Sequence, residues 1–242
     1  MLIEIATTDF ETTQLAVKGG ADRIELCTGL SEGGITASAG LLKLCRKKFD
    51  LPIYPIIRPR SGDFLYNKDE FEIMKHDIRY CRSLGFEGVV LGLLNINGSI
   101  DQDRVQRLIE LAYPLEVTFH RAFDRCVDSF AALEQLIQLG CERILTSGQQ
   151  PTAPEGASLI AALQKKADDR IIIMPGSGVH TDSIVELAKQ TGCVEFHSSL
   201  RSLKDSAMQF IHPSFTNSKE SYTNPGIVIE AIQLIKQKLN AL

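Results

Sequence analysis

Gly20-Ala-Asp-Arg-Ile-Glu-Leu26, Gly85-Phe-Glu-Gly-Val-Val-Leu91, Gly140-Cys-Glu-Arg-Ile-Leu-Thr146 and Gly192-Cys-Val-Glu-Phe-His197 repeat one junction. In each, a helix-period segment ends on glycine, the usual left-handed helix stop, and an apolar strand begins almost at once. Weaker partners of these four junctions are Pro52-Ile-Tyr-Pro-Ile-Ile-Arg58 and Pro114-Leu-Glu-Val-Thr-Phe-His-Arg121. A two-strand unit used four times is a symmetry that a closed barrel allows.

Working outward, strand candidates fall at 2–6, 23–27, 53–58, 88–92, 115–120, 143–146, 171–174 and 194–197. Most are near-continuous apolar runs, as parallel strands covered on both faces require. Between them lie helical stripes. Val105, Leu108, Ile109 and Ala112 form one, Phe71, Met74, Ile78 and Cys81 a looser one, and Ile184, Leu187, Ala188 and Thr191 a third. Eight strands alternating with helices predict an α/β fold, a single-domain (β/α)8 TIM barrel over residues 1–242. A doubly wound open sheet is the competing arrangement, but no G-x-G-x-x-G follows strand one. After Ser199 the alternation lapses. Residues 201–224 read as a long surface loop, and 225–240 as a closing helix with Val228, Ala231, Ile232, Ile235 and Leu239 on one stripe.

The 242 residues are 44% hydrophobic and 23% charged, which excludes a disordered chain. A net charge of −4 with scattered Lys and Arg leaves no basic stripe for nucleic acid. No apolar run nears the ~18 residues of a membrane span, and the first residues lack the pattern of a secretion signal. A cytoplasmic location is expected. The six cysteines, at 27, 45, 81, 126, 141 and 193, include no C-x-x-C pair and read as reduced thiols.

Barrel chemistry sits where strands end. Alternation turns Glu116, Thr118 and His120 to one face of their strand, and since helices cover the outside, that face is the lumen. The same reasoning gathers Glu4, Glu25, Arg58, His120 and His197 in the upper lumen. Two readings stand open. The set is a structural layer of ion pairs, or it is a functional site in which the carboxylates and imidazoles bind a divalent metal or exchange protons. Arg60 and Asp124, on adjoining loops, extend the second reading.

Gly148, Gly176-Ser177-Gly178 and Ser198-Ser199 lie on the last three strand ends, where barrels hold anions on backbone N–H groups. They are equally readable as tight turns and a helix cap. No lysine falls on a strand end, so Schiff-base chemistry has no nucleophile. His76, His180 and His212 read as incidental, and Cys45 and Cys81 as core.

The segments Ala21-Asp-Arg-Ile-Glu-Leu-Cys27, Ser31-Glu-Gly-Gly-Ile-Thr36, Pro55-Ile-Ile-Arg-Pro-Arg60 with Gly62-Asp-Phe64, Val117-Thr-Phe-His-Arg-Ala-Phe-Asp124, Leu145-Thr-Ser-Gly-Gln149 and Glu195-Phe-His-Ser-Ser199 together resemble the CutC family of copper-homeostasis proteins. That resemblance implies a cytoplasmic TIM barrel, often a homodimer, linked to copper tolerance and in some members to Cu(I) binding. Cys27 matches the family's Glu-Leu-Cys position, and Cys126 is a second candidate Cu(I) ligand. The sequence has no paired-thiol motif of the kind a copper chaperone carries. Two functions follow as expectations. One is Cu(I) binding through Cys27, joined by Cys126 or His120. The other is an enzyme acting on a small anionic or phosphorylated, carbohydrate-like substrate, with Glu25 and His120 as acid and base, Arg58 and Arg60 holding substrate oxygens, and Gly176–Gly178 with Ser198–Ser199 cradling the anion. A barrel that has lost its reaction and serves as a binding module is the duller third.

Overall fold

In the computed structural model, the description covers residues 1–202, 209–210, 212, 214, 226–227 and 229–242. The eight barrel strands are β1 (Leu2–Thr7), β2 (Arg23–Leu26), β3 (Ile53–Pro55), β4 (Gly88–Leu91), β5 (Glu116–Phe119), β6 (Arg143–Thr146), β7 (Ile172–Pro175) and β8 (Glu195–Ser198). The helices between and after them are α1 (Phe10–Gly19), α2 (Ala39–Lys48), α3 (Lys68–Leu84), α4 (Gln102–Ala112), α5 (Ser129–Leu139), α6 (Ala157–Ala167), α7 (Ile184–Thr191) and α8 (Ile229–Asn240). The expected parallel α/β barrel is what the chain forms. Gly20, Gly85, Gly140 and Gly192 cap their helices with φ of 87°, 75°, 82° and 69°, so the repeated junction is the left-handed stop that its glycine requires.

The barrel is built as two parallel half-sheets, β3-β2-β1-β8 and β4-β5-β6-β7. One seam is closed by a bridge between Ile56 and Val90, with the Ile57 amide donating to the Val90 carbonyl at 2.7 Å. At the other seam β7 and β8 lie side by side. The apolar face of the strands, including Ile5, Ile24, Leu91, Val117, Phe119, Ile144, Ile173 and Phe196, is buried against helix stripes carrying Ile78, Leu108, Leu133, Leu187 and Ile232. Each such side chain contributes roughly 1.5–3 kcal/mol by leaving water, so the outer layer carries the stability and leaves the lumen free for polar groups. Cys45 and Cys81 are core residues, as expected.

The proposed loop 201–224 and Val228 lie largely outside the described residues. Within them, Arg201–Ser202 (β9) pairs antiparallel with Gly226–Ile227 (β10) ahead of α8. No helix among the described residues is long and apolar enough to cross a membrane.

Candidate functional site

The register of the first half-sheet sets Glu4 between Arg23 on β2 and His197 on β8. Glu4 accepts from the Arg23 guanidinium, and its other oxygen lies 2.7 Å from His197 Nδ1. Arg23 continues to Glu195 at 2.6 Å, Arg143 meets the same Glu195 oxygen at 2.7 Å and Glu116 at 3.3 Å, and the Tyr54 hydroxyl donates to Glu116 at 2.5 Å. These side chains cross the lumen as alternating charges. An ion-pair layer therefore exists. It is carried by Arg23 and Arg143, which the strand-end reading passed over although alternation turns both inward. Burial would raise the Glu4 carboxyl, but Arg23 and His197 outweigh it and hold the group near 2.

Above this layer opens a cavity of about 230 Å³ whose walls include Glu25, Arg58, Phe64, His120, Arg121 and His197. Glu25 is the one carboxylate on that wall among the described residues. It accepts no close hydrogen bond among the described residues and stands 3.8 Å from His197 Nε2. Burial is the main cause that lifts its carboxyl to about 7, with Glu4 adding to it. Burial works against the His197 cation, but Glu25 and Glu4 together raise it above the ordinary imidazole value.

Arg58 shows a different balance. It is 4% exposed, and its terminal nitrogens donate to the carbonyls of Glu32, Gly34 and Gly62 at 2.7 to 2.9 Å. Among the described residues no carboxylate lies within ion-pair distance of it, and Nε has no hydrogen-bond partner. The guanidinium stacks over Phe64 at 5.2 Å, and Phe64 in turn lies 4.9 Å from the His120 ring. His120 Nδ1 accepts the Ala122 amide at 3.1 Å, while the buried Nε2 meets no protein partner. Burial and the neighbouring Arg58 press the imidazole down to about 3, so it is neutral at pH 7. A buried cation without a counter-charge, beside a donor without an acceptor, can take an anionic or oxygen-rich molecule.

The other sequence candidates divide. Ser177, Gly178, Ser198 and Ser199 lie on the cavity wall, and Ser177 holds a left-handed φ of 75°. The amide of Gly176 donates to the Thr146 carbonyl and that of Gly148 to the Thr146 hydroxyl, both at 2.9 Å, so neither is open to an anion. Gly148 is a packing glycine, since a Cβ there would sit 2.3 Å from the Gly156 carbonyl oxygen. Arg60 turns away from the cavity to Glu70 at 2.5 Å, Asp63 at 2.8 Å and loop carbonyls. Asp124 accepts from Thr146, Ser147, Gln149 and Arg121, which makes it a staple between two loops. Through that staple it fixes Arg121, which borders both the cavity and an outer groove of about 790 Å³. His180, expected to be incidental, also lines the cavity, because α7 starts four residues later than it.

No cysteine joins a cluster of three potential metal ligands among the described residues. Cys27 is fully buried, donates to the Thr7 carbonyl at 3.4 Å, and is held protonated by burial and by Glu25. Cys126 packs in a separate apolar cluster, and burial pushes its thiol to about 11. The one group of three ligand atoms within 4.8 Å of one another among the described residues is Glu4, Glu25 and His197, all hard or borderline donors. Cu(I) prefers soft thiolates, so this donor set does not fit it.

Residues 1–202 match the sequence model of the CutC family. A CutC family protein of Parabacteroides distasonis is 46% identical over 99% of this chain and 98% of its own length. The chain belongs to the CutC family. A human relative named copper homeostasis protein cutC homolog is 46% identical over 88% of this chain and 78% of its own. A solved CutC structure from Streptococcus agalactiae superposes with a TM-score of 0.79 at 32% identity, covering 82% of this chain and 98% of the other. Phosphoribosyl anthranilate isomerase of Thermotoga maritima gives a TM-score of 0.62 at 11% identity over the full length of both chains, a likeness of fold alone. The motifs of this CutC-family chain surround the cavity. Glu25, Arg58, Phe64, His120, Arg121, His197 and Ser199 all belong to segments that carry the resemblance.

Proposed function

We propose that this CutC-family chain serves copper homeostasis, the role that the names of its human and mouse relatives carry. It does so as a barrel enzyme acting on a small anionic, carbohydrate-like molecule rather than as a Cu(I) carrier. The observation that carries the reading is Arg58, a buried guanidinium on the cavity wall with no carboxylate to balance it among the described residues. An uncompensated buried charge is expensive, and an anion in the cavity removes that expense. Glu25 and His197 add a carboxylate–imidazole pair placed to hold and pass a proton, and His120 adds a neutral donor. The cytoplasm and a homodimer are the setting that the family resemblance implies.

The test is thermal denaturation of the full chain with inorganic phosphate and with sugar phosphates. An anion bound at Arg58 raises Tm by mass action, by several degrees once it is present well above its Kd. The Arg58→Ala variant is expected to fold and to lose the rise. A wild-type Tm indifferent to every anion, or a rise unchanged in Arg58→Ala, overturns the proposal.

A further inference from the structure

Resting on the anion-binding reading above, we infer that the cavity is built for proton transfer at the carbon next to a carbonyl group, with Glu25 as the base and His120 Nε2–H as the group that polarises the carbonyl oxygen. The substrate class is then a 2-hydroxy aldehyde or ketone carrying an anionic group, and the reaction is aldose–ketose isomerisation.

The hydrogen bonding of His120 fixes its tautomer. Its Nδ1 accepts the Ala122 amide, so in a neutral ring the proton must reside on Nε2. That N–H has no acceptor among the described residues although it is buried. Phe64 on one side and the Cβ-less Gly92 on the other leave the ring little room to turn, since a Cβ at Gly92 would lie 2.5 Å from Nδ1. His120 is therefore a fixed, uncharged donor awaiting an oxygen. A neutral imidazole suits this task better than an imidazolium, because it stabilises an enediolate without handing over a full proton early.

Glu25 is the complementary group. It shares the cavity with His120 and, among the described residues, is the one carboxylate lining it and meets no donor closer than His197 Nε2. His197 stands behind it at 3.8 Å and is itself fixed by Glu4 at 2.7 Å. His197 and Glu4 thus act as positioning residues for the base.

The step balances without any oxidant or metal. The Glu25 carboxylate takes the proton from the hydroxyl-bearing carbon, and that C–H electron pair becomes the double bond of the enediolate. The carbonyl π pair moves to the oxygen facing His120. Nε2 gives its proton to that oxygen and regains one from the neighbouring hydroxyl. Glu25 then returns its proton to the former carbonyl carbon, which leaves the carbonyl one carbon along.

The experiment incubates the full chain in D2O with triose, pentose and hexose phosphates that have a free carbonyl, and follows deuterium by NMR. A sugar phosphate that raises Tm is expected to gain deuterium beside its carbonyl. Glu25→Gln should lower that rate at least 100-fold, in line with general-base catalysis, while the Tm rise persists. Stabilisation without deuterium uptake, or uptake unchanged in Glu25→Gln, overturns this inference and leaves the anion-binding reading standing. Absence of any stabilisation would instead sink that reading. A second measurement needs no substrate. Nitrogen-15 NMR of His120 should show a neutral ring protonated on Nε2 from pH 5 to pH 8, and a proton on Nδ1 or a titration in that window overturns the role of His120.

Discussion

Gly88 on β4 and Tyr54 on β3 occupy one volume of the lumen: a Cβ on Gly88 would lie 2.4 Å from Tyr54 Cε2. The tyrosine in turn caps the ion-pair layer through its 2.5 Å bond to Glu116, with Arg23 and Arg143 stacked on its ring at 5.0 and 5.6 Å. Gly88→Ala should therefore destabilise the barrel by overpacking, by about 1–3 kcal/mol. Denaturant titration reads the loss directly, and combining the change with Tyr54→Leu should return part of it. Equal stability of Gly88→Ala and the natural chain would contradict the packing described.

Two of the lumen glutamates, Glu25 and Glu4, answer pH with opposite signs. Burial raises Glu25 from 4.5 to about 7, so its contribution to stability is full below 4.5 and lost as pH climbs through 7. Glu25→Gln, which cannot ionise, should match the natural chain near pH 5 and exceed it above pH 7. Glu4 is lowered to about 2, so its contribution is present above 4.5 and lost only as pH falls through 2. Glu4→Gln should be weaker than the natural chain at every pH above 5. Melting curves between pH 5 and 9 test both, and a pH-independent gap for Glu25→Gln would count against the arrangement.

Cys27 is the thiol most open to test. It is buried and donates to the Thr7 carbonyl, and burial raises its thiol pKa, which slows reactions that need the thiolate. Alkylation of Cys27 by iodoacetamide at pH 8 should be far slower than that of a free thiol. Cu(I) titration under anaerobic conditions against a competing chelator should give the same curve for Cys27→Ser as for the natural chain. Tight, stoichiometric Cu(I) that disappears in Cys27→Ser would restore the thiol reading over the anionic-substrate one.

The sequence carried the barrel because its signals are local. The glycine stop, the helix period and the alternation along each strand are set by neighbours in the chain, and Glu25, Arg58, His120 and His197 could be turned inward on that basis alone. Alternation tells which face a residue takes, but depth in the lumen depends on strand stagger, which arises only when the sheet closes. Closure sank Glu4 into a layer with Arg23, Arg143 and Glu195, and left Glu25 and His197 above it. Closure also decided the loops. Arg60 found Glu70 and Asp63 nearby and turned away, Asp124 gathered donors from the β6–α6 loop, and His180 came to face the cavity. Arg58 alone of these arginines reached a buried position without a carboxylate. Its missing counter-charge is a property of three-dimensional neighbours, which no spacing along the chain encodes.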